Sequence, residues 1–266
     1  MKIIVLVKQV PDTTEMKIDK ETGTLIRTGI PTICNPDDLA AIEEALAIKD
    51  QFGAHVHVMS MGPQQAETMM RELLGMGVDE ATLISDRAFA GSDTWATSNT
   101  IAKALERVEY DLILAGRQAI DGDTAQVGPQ VAEKLNIPQI TYVSEIKSVT
   151  NQSIEVVRDY EDYAEVLEAK FPVLLTTLAT MNTPRYGKVD LLWDAYDKEI
   201  NTITNDDLKL DKEHTGLSGS PTQVKKTFPR EITANNEVLT VSPQEAAEGI
   251  AKLLQPYLEK KGAHHE

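Results

Sequence analysis

The 266-residue chain is short of cysteine, of positive charge and of long apolar runs. Its single cysteine, Cys34, excludes an internal disulfide and makes a cytoplasmic location the default expectation. No run approaches the roughly 20 apolar residues of a membrane-spanning helix. The opening "MKIIVLVKQVPD" has too short an apolar part for a secretory signal and lacks a small-residue cleavage site, so no membrane association is expected. Lys and Arg number 26 against 42 Asp and Glu, a formal net charge of −16. That field repels a nucleic-acid backbone and argues against such a partner. It fits either a well-solvated surface or docking to a basic partner. The five histidines are His55, His57, His214, His264 and His265, and none pairs with Cys or acid at metal-ligand spacing. There is no G-x-S-x-G and no Ser–His or paired-carboxylate arrangement. If the chain is part of an enzyme, the chemistry belongs to a bound cofactor.

Apolar residues still make up 41% of the chain, too many for a disordered one. The first 140 residues alternate strand-like and helix-like segments. Strands are expected at Lys2–Val7, Ala54–Gly62, Glu80–Ser85 and Tyr110–Gly116. One helix opens at Asn35-Pro36-Asp37-Asp38, with Asn as cap, Pro at the first position and acids at the positive end of the dipole. Others start at Pro63 and within Ser92–Val108, the latter capped by Ser or Asp. This order implies an α/β fold with a mostly parallel sheet covered by helices on both faces. Ligands of such sheets bind beyond the carboxyl ends of the strands, where Lys8, Met61-Gly62 and Gly116 should converge. After Ile140 the pattern changes. Ser153–Leu178 reads as two or three β-strands, antiparallel to one another, and 186–243 as a polar, extended arm. A last helix follows the Ser242 cap, its apolar face carried by Ala246, Ile250, Leu253, Leu254 and Tyr257. Such a face needs a covering surface, and a second subunit is a reasonable candidate. The expected division is a nucleotide-binding domain at 1–185 and a partner-binding arm at 186–266.

The stretch "GRQAIDGDTAQVGPQ" (Gly116–Gln130) ends a strand and opens a helix. Two readings stay open. Backbone amides and the helix dipole there suit a phosphate or pyrophosphate, and Gly116 and Gly122 let a ligand approach closely. Alternatively, Asp, Gly and Thr merely serve a turn and a cap, since neither G-x-G-x-x-G nor G-K-[ST] is present. Pro129 either kinks the helix or marks a helix that begins near Gly128. Lys8 is either a source of positive charge for a phosphate or flavin, or a surface lysine before a turn. Cys34, beside the Asn35 cap, reads as a small buried residue or as a thiol tuned by the helix end.

Four segments resemble the β subunits of electron transfer flavoproteins: "VKQVPD", "NPDDLAAIEEALAIKD", "GRQAIDGDTAQVGPQ" and "VVRDYEDYAEVLEAKFPVLLT". "NTPRYGKVDLLWDA" is similar to the family's N-x-P-R-Y and the recognition loop after it. The resemblance spans nearly the whole chain. It implies an adenine nucleotide α-hydrolase-like fold, pairing with an α subunit, and a C-terminal arm that clasps the partner's mobile flavin domain. It also implies a nucleotide site at Leu6, Val7, Lys8, Asn35, Asp38 and Met61, and along Gly116, Arg117, Gln118, Ala119, Ile120, Asp121, Gly122, Asp123, Thr124, Ala125, Gln126 and Val127. Partner recognition falls on Tyr186, Val189, Leu191 and Leu192, with Val189 where much of the family has Leu. Tyr163 departs from the signature segment, which usually has Gly or an acid there. One branch of the family holds AMP; another holds a second FAD that takes hydride from NADH and bifurcates the electrons. The latter serves ferredoxin and, through the α-subunit FAD, a flavin dehydrogenase of the acyl-CoA or lactate type. The AMP branch usually carries an acid after "QAID"; here it is Gly122, which points to FAD. A stress-protein-like ATP-binding module would share the fold, but should carry a Gly-rich phosphate loop that this chain lacks.

Overall fold

The computed structural model describes residues 1–12, 31–225 and 240–262, with side chains up to 256. It divides into two compact units, Met1–Thr227 and Phe228–Glu266. In the first unit the strands are β1 (Lys2–Leu6), β2 (Gln9–Pro11), β3 (Thr32–Cys34), β4 (His55–Met61), β5 (Glu80–Ile84), β6 (Leu112–Gly116), β7 (Gln139–Val149), β8 (Ser153–Asp159), β9 (Ala164–Lys170), β10 (Val173–Thr177) and β11 (Asn201–Ile203). The helices are α1 (Pro36–Phe52), α2 (Glu67–Met76), α3 (Thr94–Leu105), α4 (Val127–Leu135), α5 (Val189–Ala195) and α6 (Asn205–Leu208), with α7 (Pro243–Gly262) in the second unit.

Nine strands form the main sheet in the order β11-β5-β4-β1-β6-β10-β7-β8-β9. Pairing from β11 to β7 is parallel, and β8 and β9 close the far side antiparallel. The apolar run of β1 explains its central place. Alternate residues feed opposite faces: Ile3 and Val5 enter the core under α1 and α2, Ile4 and Leu6 the core under α3 and α4. From β1 the chain builds outward through β4 to β5, then returns to the other side of β1 as β6. The crevice between β1 and β6 is therefore the topological switch point of the sheet.

Three expectations change. The strand ending the signature segment is β10, which is parallel and lies between β6 and β7 rather than continuing an antiparallel meander. Its residues Val173–Thr177 are all buried, as a strand covered on both faces requires. The long strand β7 precedes the meander in sequence, and its irregular inside–outside pattern hides it. Third, the polar stretch after Tyr186 does not run free as an arm: α5 packs on α2, and β11 extends the main sheet beside β5. Asp93 caps α3, accepting from the Ala96 amide at 3.0 Å. The Pro129 question resolves with α4 starting at Val127, so the proline sits in the first turn, where no intrahelical amide bond is lost. In the second unit α7 follows Ser242, whose amide donates to the Glu245 carboxylate at 2.9 Å and whose hydroxyl accepts from the Glu245 amide at 3.4 Å. Ile250, Leu253 and Leu254 on it are exposed, and the side chain of Tyr257 lies outside those described. Among the described residues no helix is long and apolar enough to cross a membrane.

Candidate functional site at the carboxyl edge of β1 and β6

Asp38, in the first turn of α1, ties the two strand ends together. The Lys8 amide donates to its Oδ2 at 2.8 Å and the Gly116 amide to its Oδ1 at 3.0 Å. Burial drives the Asp38 carboxyl up to about 7, against the lowering effect of these amides and of Asn35; Asp37 adds to the rise. Gly116 is required for this closure, because a Cβ there would stand 2.2 Å from Asp38 Oδ1 and 2.7 Å from the Asp38 nitrogen.

Asn35 occupies the cap position of α1 but its side chain forms no cap bond. It reaches instead into the loop after β6. Its Nδ2 donates to the Gln118 carbonyl at 2.8 Å, and its Oδ1 accepts from the Ile120 amide at 3.1 Å. A wholly buried amide with both ends used in this way sets the course of the loop. Asp37 does similar work: it accepts from the Gln118 amide at 3.4 Å and the Ala179 amide at 2.9 Å. Arg117 Nε lies 3.4 Å from Asp37 Oδ2 without a hydrogen bond, and its guanidinium stands 5.7 Å from the centre of the Tyr142 ring.

The loop then turns tightly. The Ala119 carbonyl accepts from Gly122 and Asp123, and Asp123 and Ala125 take left-handed φ of 56° and 53°. Lys8 reaches across to Asp121 at 2.6 Å, and Gln118 binds Asp123. Gln126 accepts from the Thr94 hydroxyl of α3 at 2.9 Å. α4 then begins, anchored where Gly128 meets Thr176 of β10 so closely that a Cβ would stand 2.8 Å from its methyl. The first intrahelical bond runs from the Gln130 amide to the Gln126 carbonyl. Earlier first-turn amides therefore face outward from the helix end, as an anion site requires.

Of the expected site residues, hydrogen bonds join Lys8, Asn35, Asp38 and the run from Gly116 to Asp123. Gln126 is tied to α3. Leu6 and Val7 are buried beneath, Met61 ends β4 half-buried, and Thr124 is exposed. Asp37 and Thr94 were not expected in the site. Asp37 was legible only as a dipole-matching acid, and nothing in the spacing marks Thr94. Cys34 is buried, and that burial pushes its thiol well above the usual range, which leaves it a packing residue. Among the described residues no group of three His, Cys, Asp or Glu could hold a metal ion.

The segment around α5 carries the residues expected to meet a partner. Tyr186 and Val189 stand in solvent, while Leu191 and Leu192 turn onto α2. Gly75 and Gly187 both press on Leu192; a Cβ on Gly75 would stand 2.3 Å from its Cδ2. Arg71 finishes the helix: one guanidinium nitrogen donates to the carbonyls of Ala195, Tyr196 and Lys198 at 2.7, 3.2 and 3.3 Å. Arg185 fixes the approach to α5 through Glu43 at 2.9 Å and Asp50 at 2.8 Å. Trp193 and Tyr196 join the exposed face.

A doubly covered parallel sheet, with a braced loop at its switch point, defines the class: an α/β protein whose candidate ligand site lies at the carboxyl edge. The comparisons supply the family. Residues 22–208 match the electron transfer flavoprotein domain. The chain is 51% identical to the electron transfer flavoprotein subunit beta of Clostridium acetobutylicum, over 96% of this chain and 98% of that one. It is 52% identical to the caffeyl-CoA reductase-Etf complex subunit CarD of Acetobacterium woodii, over 90% and 92%. Identity to the acryloyl-CoA reductase electron transfer subunit gamma of Anaerotignum propionicum is 41%, over 97% and 100%. The chain belongs to the electron transfer flavoprotein family, and its relatives place it among the β subunits.

Proposed function

We propose that this β subunit pairs with an α subunit and holds FAD, rather than AMP, along the loop from Gly116 to Val127. The observation that carries the reading is the surroundings of Gly122. A Cβ there would meet only Lys8 Nζ, at 3.9 Å, among the described residues, and the backbone is not left-handed. The chain's own packing therefore does not demand glycine. The absence of a side chain serves a guest, and the absence of an acid leaves Asp121 as the one carboxylate on Lys8 among the described residues. A pyrophosphate, which FAD has and AMP lacks, profits from both. The names of two relatives, which place them with caffeyl-CoA reductase and acryloyl-CoA reductase, favour the same branch.

The chemistry that a bound FAD supplies is hydride acceptance from NADH and division of the electron pair between a low-potential acceptor, ferredoxin, and the α-subunit FAD that serves a flavin dehydrogenase of the acyl-CoA or lactate type. The residues of this chain bind and orient. Asp38 and Asn35 hold the strand ends and loop in register, Lys8 supplies positive charge, and the first turn of α4 presents its amides. No side chain need act as acid or base. Counting the nucleotides released from the purified αβ pair tests this. Two FAD per heterodimer is the expected result; one FAD with one AMP overturns the reading. In Gly122→Asp the same count should fall below two FAD.

A further inference from the structure

We propose that Asp93 and Thr94, at the start of α3, couple the nucleotide loop to the chain that leads towards the second unit, so that a nucleotide on the loop tightens the hold on Thr222. This rests on the reading of residues 116–127 as a nucleotide site, and it applies to FAD and AMP alike. After α6 the chain runs back along α3. Arg107 donates to the Asp207 carbonyl at 2.9 Å, Asn99 to the His214 carbonyl at 3.1 Å, and the Leu217 amide to the Ala90 carbonyl at 3.0 Å. The Thr100 and Thr215 hydroxyls meet at 3.3 Å in the buried middle of this path. At its end the Asp93 amide donates to the Ser220 hydroxyl at 2.8 Å. Asp93 Oδ2 accepts from both the amide and the hydroxyl of Thr222, at 2.9 and 2.8 Å, while its Oδ1 caps α3. Burial alone would raise the Asp93 carboxyl; the Ala96 and Thr222 donors outweigh it and hold the group below the usual carboxylate range. Ser220 is buried and Thr222 exposed, so Asp93 grips the chain where it passes into solvent. The first unit ends shortly after, at Thr227.

The next residue holds the loop. Thr94 donates to Gln126 Oε1 at 2.9 Å and accepts from Gln130 Nε2 at 3.4 Å, and Ser98 donates to Gln130 Oε1 at 3.0 Å. Gln126 is where the loop becomes α4, since its carbonyl accepts the first intrahelical bond from Gln130. Two successive residues of one helical turn therefore hold the loop and the departing chain, and neither hold survives fraying of that turn. Helix ends open at small cost, so the turn has two conditions, formed and frayed. A nucleotide that orders the loop and the first turn of α4 fixes Gln126. Less ordering is then left for the α3 turn when it grips Thr222. The coupling is reciprocal: freeing Thr222 loosens the nucleotide by the same factor.

The test is a double-mutant cycle on the loaded αβ heterodimer, read as the rate at which nucleotide leaves the β subunit on dilution. Thr222→Val removes one bond of the Asp93 grip and lies outside the loop; it should speed release about fivefold. Thr94→Val cuts the link to Gln126. Once that link is cut, adding Thr222→Val should change the rate little. Thr94→Ser, which keeps the hydroxyl, should retain the full Thr222 effect. Additive effects of the two valines overturn the coupling, as does an unchanged rate in Thr222→Val. Hydrogen exchange separates the two readings. It compares the heterodimer stripped of its β-subunit nucleotide with the same protein reloaded with FAD or with AMP. Amides of 116–127 and of 222–225 should both exchange more slowly when nucleotide is bound. Slowing at the loop alone overturns the coupling and leaves the nucleotide site standing. No slowing at the loop with either nucleotide overturns the site and the coupling with it.

Discussion

Asp38 carries two backbone amides on separate oxygens and is almost fully buried. Its folded pKa of about 7 stands above the ordinary 3.8, so between those values the folded chain keeps a proton that the unfolded chain has lost. The associated stability is complete below the unfolded value and is lost as pH rises through 7, at most about 4 kcal/mol. Asp38→Asn offers one acceptor oxygen to two amides and should cost about 1–3 kcal/mol at pH 5. Because the variant does not titrate, the gap in melting temperature between wild type and variant should narrow from pH 5 to pH 8. Thermal melts of both proteins at the two pH values check this, and equal gaps would mean that Asp38 does not titrate in that window. Asn35 shows what single residues could and could not disclose. Its position as a cap was legible in Asn-Pro-Asp-Asp; the diversion of its side chain to Gln118 and Ile120 was not, because it depends on a loop 83 and 85 residues away.

At the scale of elements, α5 sits on α2 only because Gly75 leaves room for Leu192. Glycine inside a helix costs about 1 kcal/mol relative to alanine, so Gly75→Ala gains that much in α2. The new Cβ would stand 2.3 Å from Leu192 Cδ2 and 3.2 Å from its Cα, so α5 must shift. We expect the clash, about 1–3 kcal/mol, to outweigh the gain in propensity and lower the melting temperature. A higher melting temperature would show that α5 adapts freely. Elements with a simple period were open to reading from sequence: the apolar runs of β1, β4, β5 and β6, and the starts of α1 and α3. Others were hidden for physical reasons. β10 reads like any buried strand, and only long-range pairing with β6 and β7 sets its direction. α5 and β11 are short, so their places are set by contact with α2 and β5 rather than by a period of their own.

At the scale of the whole molecule, the first unit carries a core on each face of its sheet, and both lie within Met1–Thr227. The second unit contributes α7, whose Ile250, Leu253 and Leu254 are 58%, 74% and 50% exposed. A helix with that face has little reason to persist unless another surface covers it, since stability in short helices comes mainly from packing the apolar side. The α subunit is the cover that our reading requires. A chain ending at Thr227 should therefore fold, with far-UV circular dichroism and a cooperative melt close to those of the full chain. Co-expressed with the α subunit, it should elute from size exclusion as separate subunits or as a pair that dissociates on dilution. The full chain should elute as a stable heterodimer. Retention of a dilution-resistant pair by the shortened chain would place the subunit interface on the first unit and leave α7 without the role argued for it.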